Sequence, residues 1–282
     1  MTEPPEWPPV ARALAINPAP REAGLADVDG MRLAWTRSGP RGTGKPSLVL
    51  VHGLTDSADT WSRVARELEL SYDVVSFDAR GHGSSDRSTD YLAEAHTSDL
   101  VGLTRALHVD RPVIVGHSMG GVHATLAAAR MPVRAVVLED PAWPDVPEDG
   151  SKDVDDSRRR VAGVAAMSEA DRRAHGRTLH PSWDVADLEL WSSAQTQLDP
   201  DVVDWFRSWS TTNAWRDHVS ALHVPGLLLL GDPGAVSPRM ALEARERWPL
   251  LHVELVAGAG HDIRRDRFDT FTRALTAFLD RL

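Results

Sequence analysis

Short apolar runs separated by polar, glycine-rich turns recur along most of this chain. Ser47-Leu48-Val49-Leu50-Val51, Asp73-Val74-Val75-Ser76-Phe77, Pro112-Val113-Ile114-Val115 and Val133-Arg134-Ala135-Val136-Val137-Leu138 are each too short for a stable helix. They are also rich in β-branched residues, and so read as buried strands. Gly226–Leu230 and His252–Val256 read the same way. The segments between them carry the helical period. Over Ala58–Leu70, Trp61, Val64, Ala65 and Leu68 share one face. Thr89–Leu107, Gly121–Arg130, Pro238–Arg247 and Phe268–Leu282 complete the helical set. Val28–Arg37 reads as a hairpin closed by Asp29-Gly30. Strands alternating with helices predict an α/β protein with a mostly parallel central sheet and helices on both faces.

The alternation stops at Pro141 and resumes near Leu222. The stretch between is charged and helical in pattern, and it holds six of the ten tryptophans: Trp143, Trp183, Trp191, Trp205, Trp209 and Trp215. The expected organisation is therefore an acidic, proline-rich extended arm over 1–26, a core built from 27–140 and 221–282, and a helical cap over 141–220. Each tryptophan taken singly reads as packing; six together suggest an aromatic roof over an apolar pocket.

In parallel sheets of this kind, ligands bind beyond the carboxyl ends of the strands. Gly116-His117-Ser118-Met119-Gly120 lies at such an end, between the 112–115 strand and the 121–130 helix. A serine on a sharp strand-to-helix turn is a nucleophile elbow, with its hydroxyl lifted above the sheet. A serine hydroxyl needs a general base, and the base needs an orienting carboxylate. Of twelve histidines, His261 in Ala257-Gly258-Ala259-Gly260-His261-Asp262 is the expected base, because a glycine-rich loop after the last strand can bring an imidazole over the sheet edge. His117 is expected to pack at the elbow, His123 to lie on the following helix, and His82 to serve as a structural hydrogen-bonder. Backbone N–H groups of Met119 and of Leu54, the latter in His52-Gly53-Leu54-Thr55, are the expected donors to a tetrahedral oxyanion.

Composition narrows the partners. With 41 acidic and 31 basic residues the net charge is −10, which argues against nucleic acid or an anionic membrane. There is no cysteine, so disulfides and thiolate metal sites are excluded. The histidines lack metal-ligand spacing, and neither metal nor cofactor is expected. No apolar run approaches the roughly 20 residues that span a bilayer. The N-terminus lacks the basic start and apolar centre of a signal peptide. A cytoplasmic monomer or homodimer acting on a small molecule is the expectation.

Taken together, His52-Gly53-Leu54, Asp78-Ala79-Arg80-Gly81-His82-Gly83-Ser84-Ser85, Gly116-His117-Ser118-Met119-Gly120-Gly121 and Gly258-Ala259-Gly260-His261 resemble the α/β-hydrolase superfamily. The resemblance covers about 27–140 and 220–282 and implies a hydrolase of esters, lactones, amides or related bonds. One motif departs from it. The family's usual acid follows the penultimate strand, but Gly231-Asp232-Pro233-Gly234 puts glycine there, with Asp232 two residues early. In haloalkane dehalogenases, pancreatic-type lipases and a fungal lactonase, the acid instead follows the strand after the nucleophile helix. Here that point reads Leu138-Glu139-Asp140-Pro141. Alignment on the strand selects Asp140, and alignment on the proline selects Glu139. Successive strand residues face opposite sides, so one of the pair should meet His261; Asp232 is the third candidate. A serine nucleophile argues for acyl transfer to water, with an ester or lactone of apolar or aromatic body preferred. Carbon–carbon bond hydrolysis and a hydrolase-like small-molecule receptor are the alternatives.

Overall fold

The computed structural model describes residues 21–144, 154–205 and 215–282. Eight strands form one sheet: β1 (Glu22–Val28), β2 (Met31–Ser38), β3 (Leu48–Val51), β4 (Val74–Phe77), β5 (Val113–His117), β6 (Ala135–Glu139), β7 (Gly226–Leu230) and β8 (Leu251–Leu255). Their order across the sheet is β1-β2-β4-β3-β5-β6-β7-β8. β2 runs antiparallel to both β1 and β4, and every pairing from β4 to β8 is parallel. The hairpin turn is where the sequence puts it, with Asp29 and Gly30 at φ of 51° and 86°. Its first strand begins at Glu22, inside the stretch read as an extended arm. The strand's first residues are mostly exposed and carry little apolar alternation to betray it. The remainder of that arm lies outside the described residues.

Period-2 alternation divides the apolar side chains between two cores. Val49, Val51, Ile114, Val136, Leu138 and Leu228 face one side. There they meet α2 (Ala93–Ala106), α3 (Met119–Ala128) and α8 (Pro238–Arg247). Leu48, Leu50, Val113, Val115, Val137 and Leu229 face the other, against α1 (Ser62–Leu68) and the terminal α10 (Phe268–Leu279). Both faces of the central strands are therefore covered, as the unbroken apolar runs require. Trp61, Val64, Ala65 and Leu68 are all buried, although a 3-10 turn over Ala58–Trp61 precedes the α-helix.

Between β6 and β7 lie α4 (Val154–Ala165), α5 (Glu169–Leu179), α6 (Val185–Thr196), a 3-10 turn over Pro200–Asp204, and α7 (Trp215–Ser220). Trp143, Trp183, Trp191, Trp205 and Trp215 are all buried. Trp143 and Trp215 stack at 4.7 Å, and Trp205 meets His123 edge-on at 5.8 Å. These five serve as packing; Trp209 lies outside the described residues. No described helix is long and apolar enough to cross a membrane.

Candidate active site

The carboxyl ends of β3, β5, β6 and β7 converge. Parallel register sets Val51 beside Gly116 and His117 beside Glu139. The next residue on each strand therefore enters a common space. Ser118 has φ 52° and ψ −115° and stands immediately before α3. Such a conformation is strained for a residue bearing a Cβ and persists only because its surroundings hold it. Ser118 N–H donates to Glu139 O at 3.1 Å, and Ser118 O accepts from Ala142 N–H at 3.0 Å. The flanking glycines permit the turn: a Cβ on Gly116 would lie 2.3 Å from Gly120 O, and one on Gly120 would lie 2.2 Å from Val51 O.

Asp140, one residue past β6, also has positive φ (38°) and is wholly buried. Its Oδ2 accepts from Ala235 N–H at 2.6 Å and its Oδ1 from Val236 N–H at 3.0 Å. His261 Nδ1 lies 2.6 Å from Asp140 Oδ2. A carboxylate holding that nitrogen leaves Nε2 as the imidazole's working atom. Burial disfavours the charged ring, but the Asp140 hydrogen bond and the charges of Asp262, Asp140 and Glu139 outweigh it. The His261 pKa is raised above 6.5. The His261 side chain remains 40% exposed while Asp140 has no exposure, so the imidazole faces an open site from a buried anchor.

Glu139 points the other way. Its Oε1 accepts from Arg264 N–H at 2.7 Å and its Oε2 from Arg264 Nη1 at 2.9 Å. Arg264 Nη2 reaches Asp56 at 2.8 Å, and Arg265 bridges Asp56 and Asp262 at 2.7 Å each. Arg264 is pressed over Trp61 at 4.4 Å. Burial opposes charge on Asp56, yet the Arg265 and Arg264 guanidinium groups and His117 hold its pKa well below the ordinary carboxylate range. Asp232, the third candidate, is exposed, and its N–H donates to Ala259 O. Gly234 explains why no acid stands there: a Cβ on it would lie 2.7 Å from Asp140 Oδ1. The two acid positions compete for one space.

His117 Nε2 lies 3.1 Å from His261 O, so it packs at the elbow as expected. Asp56, His117 and Asp262 bring potential ligand atoms within 4.8 Å of one another. Arg264 and Arg265 already supply the positive charge there, which leaves those carboxylates poorly disposed toward a metal ion. The loop after β3 lies against Ser118, since a Cβ on Gly53 would lie 3.4 Å from Ser118 Cβ. Among the described residues, neither the Leu54 nor the Met119 N–H has a hydrogen-bond acceptor.

The sequence reading passed over Asp56, Arg264, Arg265 and Gln195, each buried beside this site. The arginine pair Arg264-Arg265, two residues after Asp262, was a possible signal for the ion network. Gln195 carried none, because only the fold brings α6 to the β3 loop.

A family model described as alpha/beta hydrolase fold matches residues 46–263. The chain is 33% identical over 268 residues to N-formylmaleamate deformylase of Pseudomonas putida, covering 91% of this chain and 96% of that one. It is 27% identical to the esterase YbfF of Escherichia coli, covering 83% and 92%. A crystal structure of N-formylmaleamic acid deformylase from Pseudomonas putida superposes with a TM-score of 0.75 at 25% identity, covering 91% of this chain and all of that one. The fold is shared with E-2-(acetamidomethylene)succinate hydrolase at a TM-score of 0.79 and 22% identity, covering 92% and 99%. The match over most of the core and the full-length relatives together place this chain in the alpha/beta hydrolase fold family.

Proposed function

We propose that this protein is a serine hydrolase that cleaves a small carboxylic ester or lactone through an acyl-enzyme on Ser118. The observation that carries the proposal is the 2.6 Å contact of His261 with buried Asp140, one strand away from the strained Ser118 turn. His261 Nε2 takes the Ser118 hydroxyl proton as Oγ attacks the carbonyl carbon. Asp140 stabilises the imidazolium that results. The carbonyl oxygen becomes an oxyanion held by the Leu54 and Met119 N–H groups. Collapse expels the alcohol, which takes the proton from His261. The ring, neutral again, removes a proton from water as the hydroxide attacks the acyl carbon, and collapse releases the acid while Ser118 Oγ takes that proton back from His261. The described helices between β6 and β7, α4 to α7, serve as the cap over this space.

The same sequence of steps cleaves an N-acyl bond, with an amine or amide nitrogen taking the proton. The relative that is a deformylase at 33% identity over 91% of this chain favours that second reading. The test compares p-nitrophenyl acetate and p-nitrophenyl formate with N-formylmaleamate. We expect a rapid burst of p-nitrophenolate with the esters, abolished in Ser118→Ala. Higher kcat/KM for the formamide would move the substrate class to N-acyl compounds. Ligand-induced stabilisation with no turnover of any of the three would replace the enzyme reading by a receptor.

A further inference from the structure

Three successive carbonyl oxygens in the loop after β3 are each held by a side chain from another part of the fold or from the loop's own root. Gly53 O lies 2.8 Å from His52 Nδ1. Leu54 O lies 2.7 Å from His82 Nε2. Thr55 O accepts from Gln195 Nε2 at 2.7 Å. All three side chains are buried. His52 Nε2 accepts the Ala79 N–H at 3.0 Å, so that nitrogen carries no proton and Nδ1 is the donor to Gly53 O. Both nitrogens of His82 face carbonyls, Leu54 O at 2.7 Å and Arg80 O at 2.9 Å. We assign the neutral ring's proton to Nε2, whose acceptor is closer.

These bonds aim the loop's amides. The Gly53 carbonyl and the Leu54 N–H share one trans peptide, in which C=O and N–H point in opposite directions. Holding Gly53 O toward His52 therefore sends the Leu54 N–H the other way, and fixing Leu54 O stops the next peptide from rotating that amide out of line. Gln195 belongs to α6, within the segment between β6 and β7, so that segment is tied directly to the loop.

We propose that His82 and Gln195 are positioning residues that pre-align the Leu54 N–H for the oxyanion, with His52 fixing the first peptide. This deepens the acyl-enzyme reading and rests on it. An oxyanion donor is effective because it needs no reorganisation when charge develops. Misplacement by about 1 Å can cost on the order of 100-fold in rate, and loosening one strut of three should cost less.

The test is phosphonylation of Ser118 by ethyl p-nitrophenyl methylphosphonate, read as one equivalent of p-nitrophenolate. Its phosphoryl oxygen must enter the same donors, and no knowledge of the natural substrate is needed. Gln195→Met and His82→Leu remove a donor while keeping bulk. At equal folded fraction, each should lower the maximal inactivation rate about tenfold and leave the half-saturating reagent concentration within about twofold. His82→Gln, which again offers an N–H to Leu54 O, should recover most of the loss. Leu275→Ala, a core truncation in α10, should lower the unfolding midpoint without changing the inactivation rate. Unchanged rates in Gln195→Met and His82→Leu would overturn the inference alone. So would a His82→Gln variant as slow as His82→Leu, or losses confined to the half-saturating concentration. If the unaltered protein is not phosphonylated at Ser118, the acyl-enzyme reading falls and the inference with it.

Discussion

Replacing Asp140 by asparagine separates orientation of the base from stability. Asp140 receives three donors: His261 Nδ1 and Ala235 N–H on Oδ2, and Val236 N–H on Oδ1. An amide has one oxygen for the three. With its oxygen toward His261, its NH2 opposes the Val236 N–H. Flipped, the NH2 opposes the Ala235 N–H and donates to His261 Nδ1, which puts the ring's proton on Nε2, where it cannot accept one from serine. One unsatisfied buried N–H costs about 1–3 kcal/mol in stability. The larger effect is on rate, because no carboxylate remains hydrogen-bonded to the imidazolium, leaving only the more distant charges of Asp262 and Glu139. Loss of the orienting carboxylate in a serine triad costs on the order of 10⁴ in kcat, or about 5.5 kcal/mol of barrier. Glu139→Gln should invert the pattern. It breaks one arm of a fully buried ion pair with Arg264, which keeps Asp56. It should therefore cost about 3 kcal/mol in stability but less than about tenfold in kcat at equal folded fraction. Urea unfolding and single-turnover release of p-nitrophenolate measure the two quantities. A 10⁴-fold loss in Glu139→Gln with Asp140→Asn near normal would refute the assignment.

Three further outcomes follow from the same geometry. The acid limb of kcat/KM should have its midpoint above 6.5, because the folded-state pKa of His261 is raised and the neutral ring is the active form; Asp140→Asn should move that limb to lower pH. Gly234→Asp should abolish turnover, since its Cβ would lie 2.7 Å from Asp140 Oδ1, whereas Asp140→Gly combined with Gly234→Asp should recover at least about tenfold over Asp140→Gly alone, the carboxylate having moved rather than vanished; no recovery would show that position 234 does not reach His261. Burial depresses His52 and His123 to about 3, so the unfolded chain takes up their protons first, and their stabilising effect, complete above 6.5, is lost as pH falls toward 3. Buried Asp78, raised to about 6, acts in the opposite sense between 6 and 3.8. Buried His82 and His96 are depressed as well, and Asp59, Asp99 and Asp187 are raised by burial like Asp78. The histidine effect acts over the whole interval from 6.5 down to 4.5, so the urea midpoint should be lower at pH 4.5 than at pH 7, and a higher midpoint at 4.5 would contradict the balance.

What the sequence revealed follows from which signals are local. Unbroken apolar runs such as Val113–Val115 and Leu227–Leu230 mark strands buried on both faces, and the elbow announces itself through adjacent glycines and its strand-to-helix setting. Helix α8 matches its expected bounds, because Ser237 caps it and Pro238 opens it. The short helix α9 (Ile263–Asp266) escaped notice, since four residues carry no period. The choice between Glu139 and Asp140 could not be made from adjacent letters. It depends on Arg264, whose backbone N–H and guanidinium take Glu139 from the opposite side, and on the Ala235 and Val236 amides waiting for Asp140. Both partners lie about a hundred residues or more away in sequence. The tryptophans left two readings open for a related reason: aromatic density looks the same whether it lines a pocket or fills a core, and Trp143 stacked on Trp215 packs in a core.

The central claim is a covalent acyl-enzyme on Ser118, and rapid acid quench followed by mass spectrometry tests it most directly. After mixing with p-nitrophenyl acetate and quenching within the burst, the peptide containing Gly116-His117-Ser118-Met119-Gly120 should carry one acetyl group on Ser118. Ser118→Ala should carry none and should lose turnover. Turnover that persists in Ser118→Ala, with no acetylated peptide in the unaltered protein, would contradict the account.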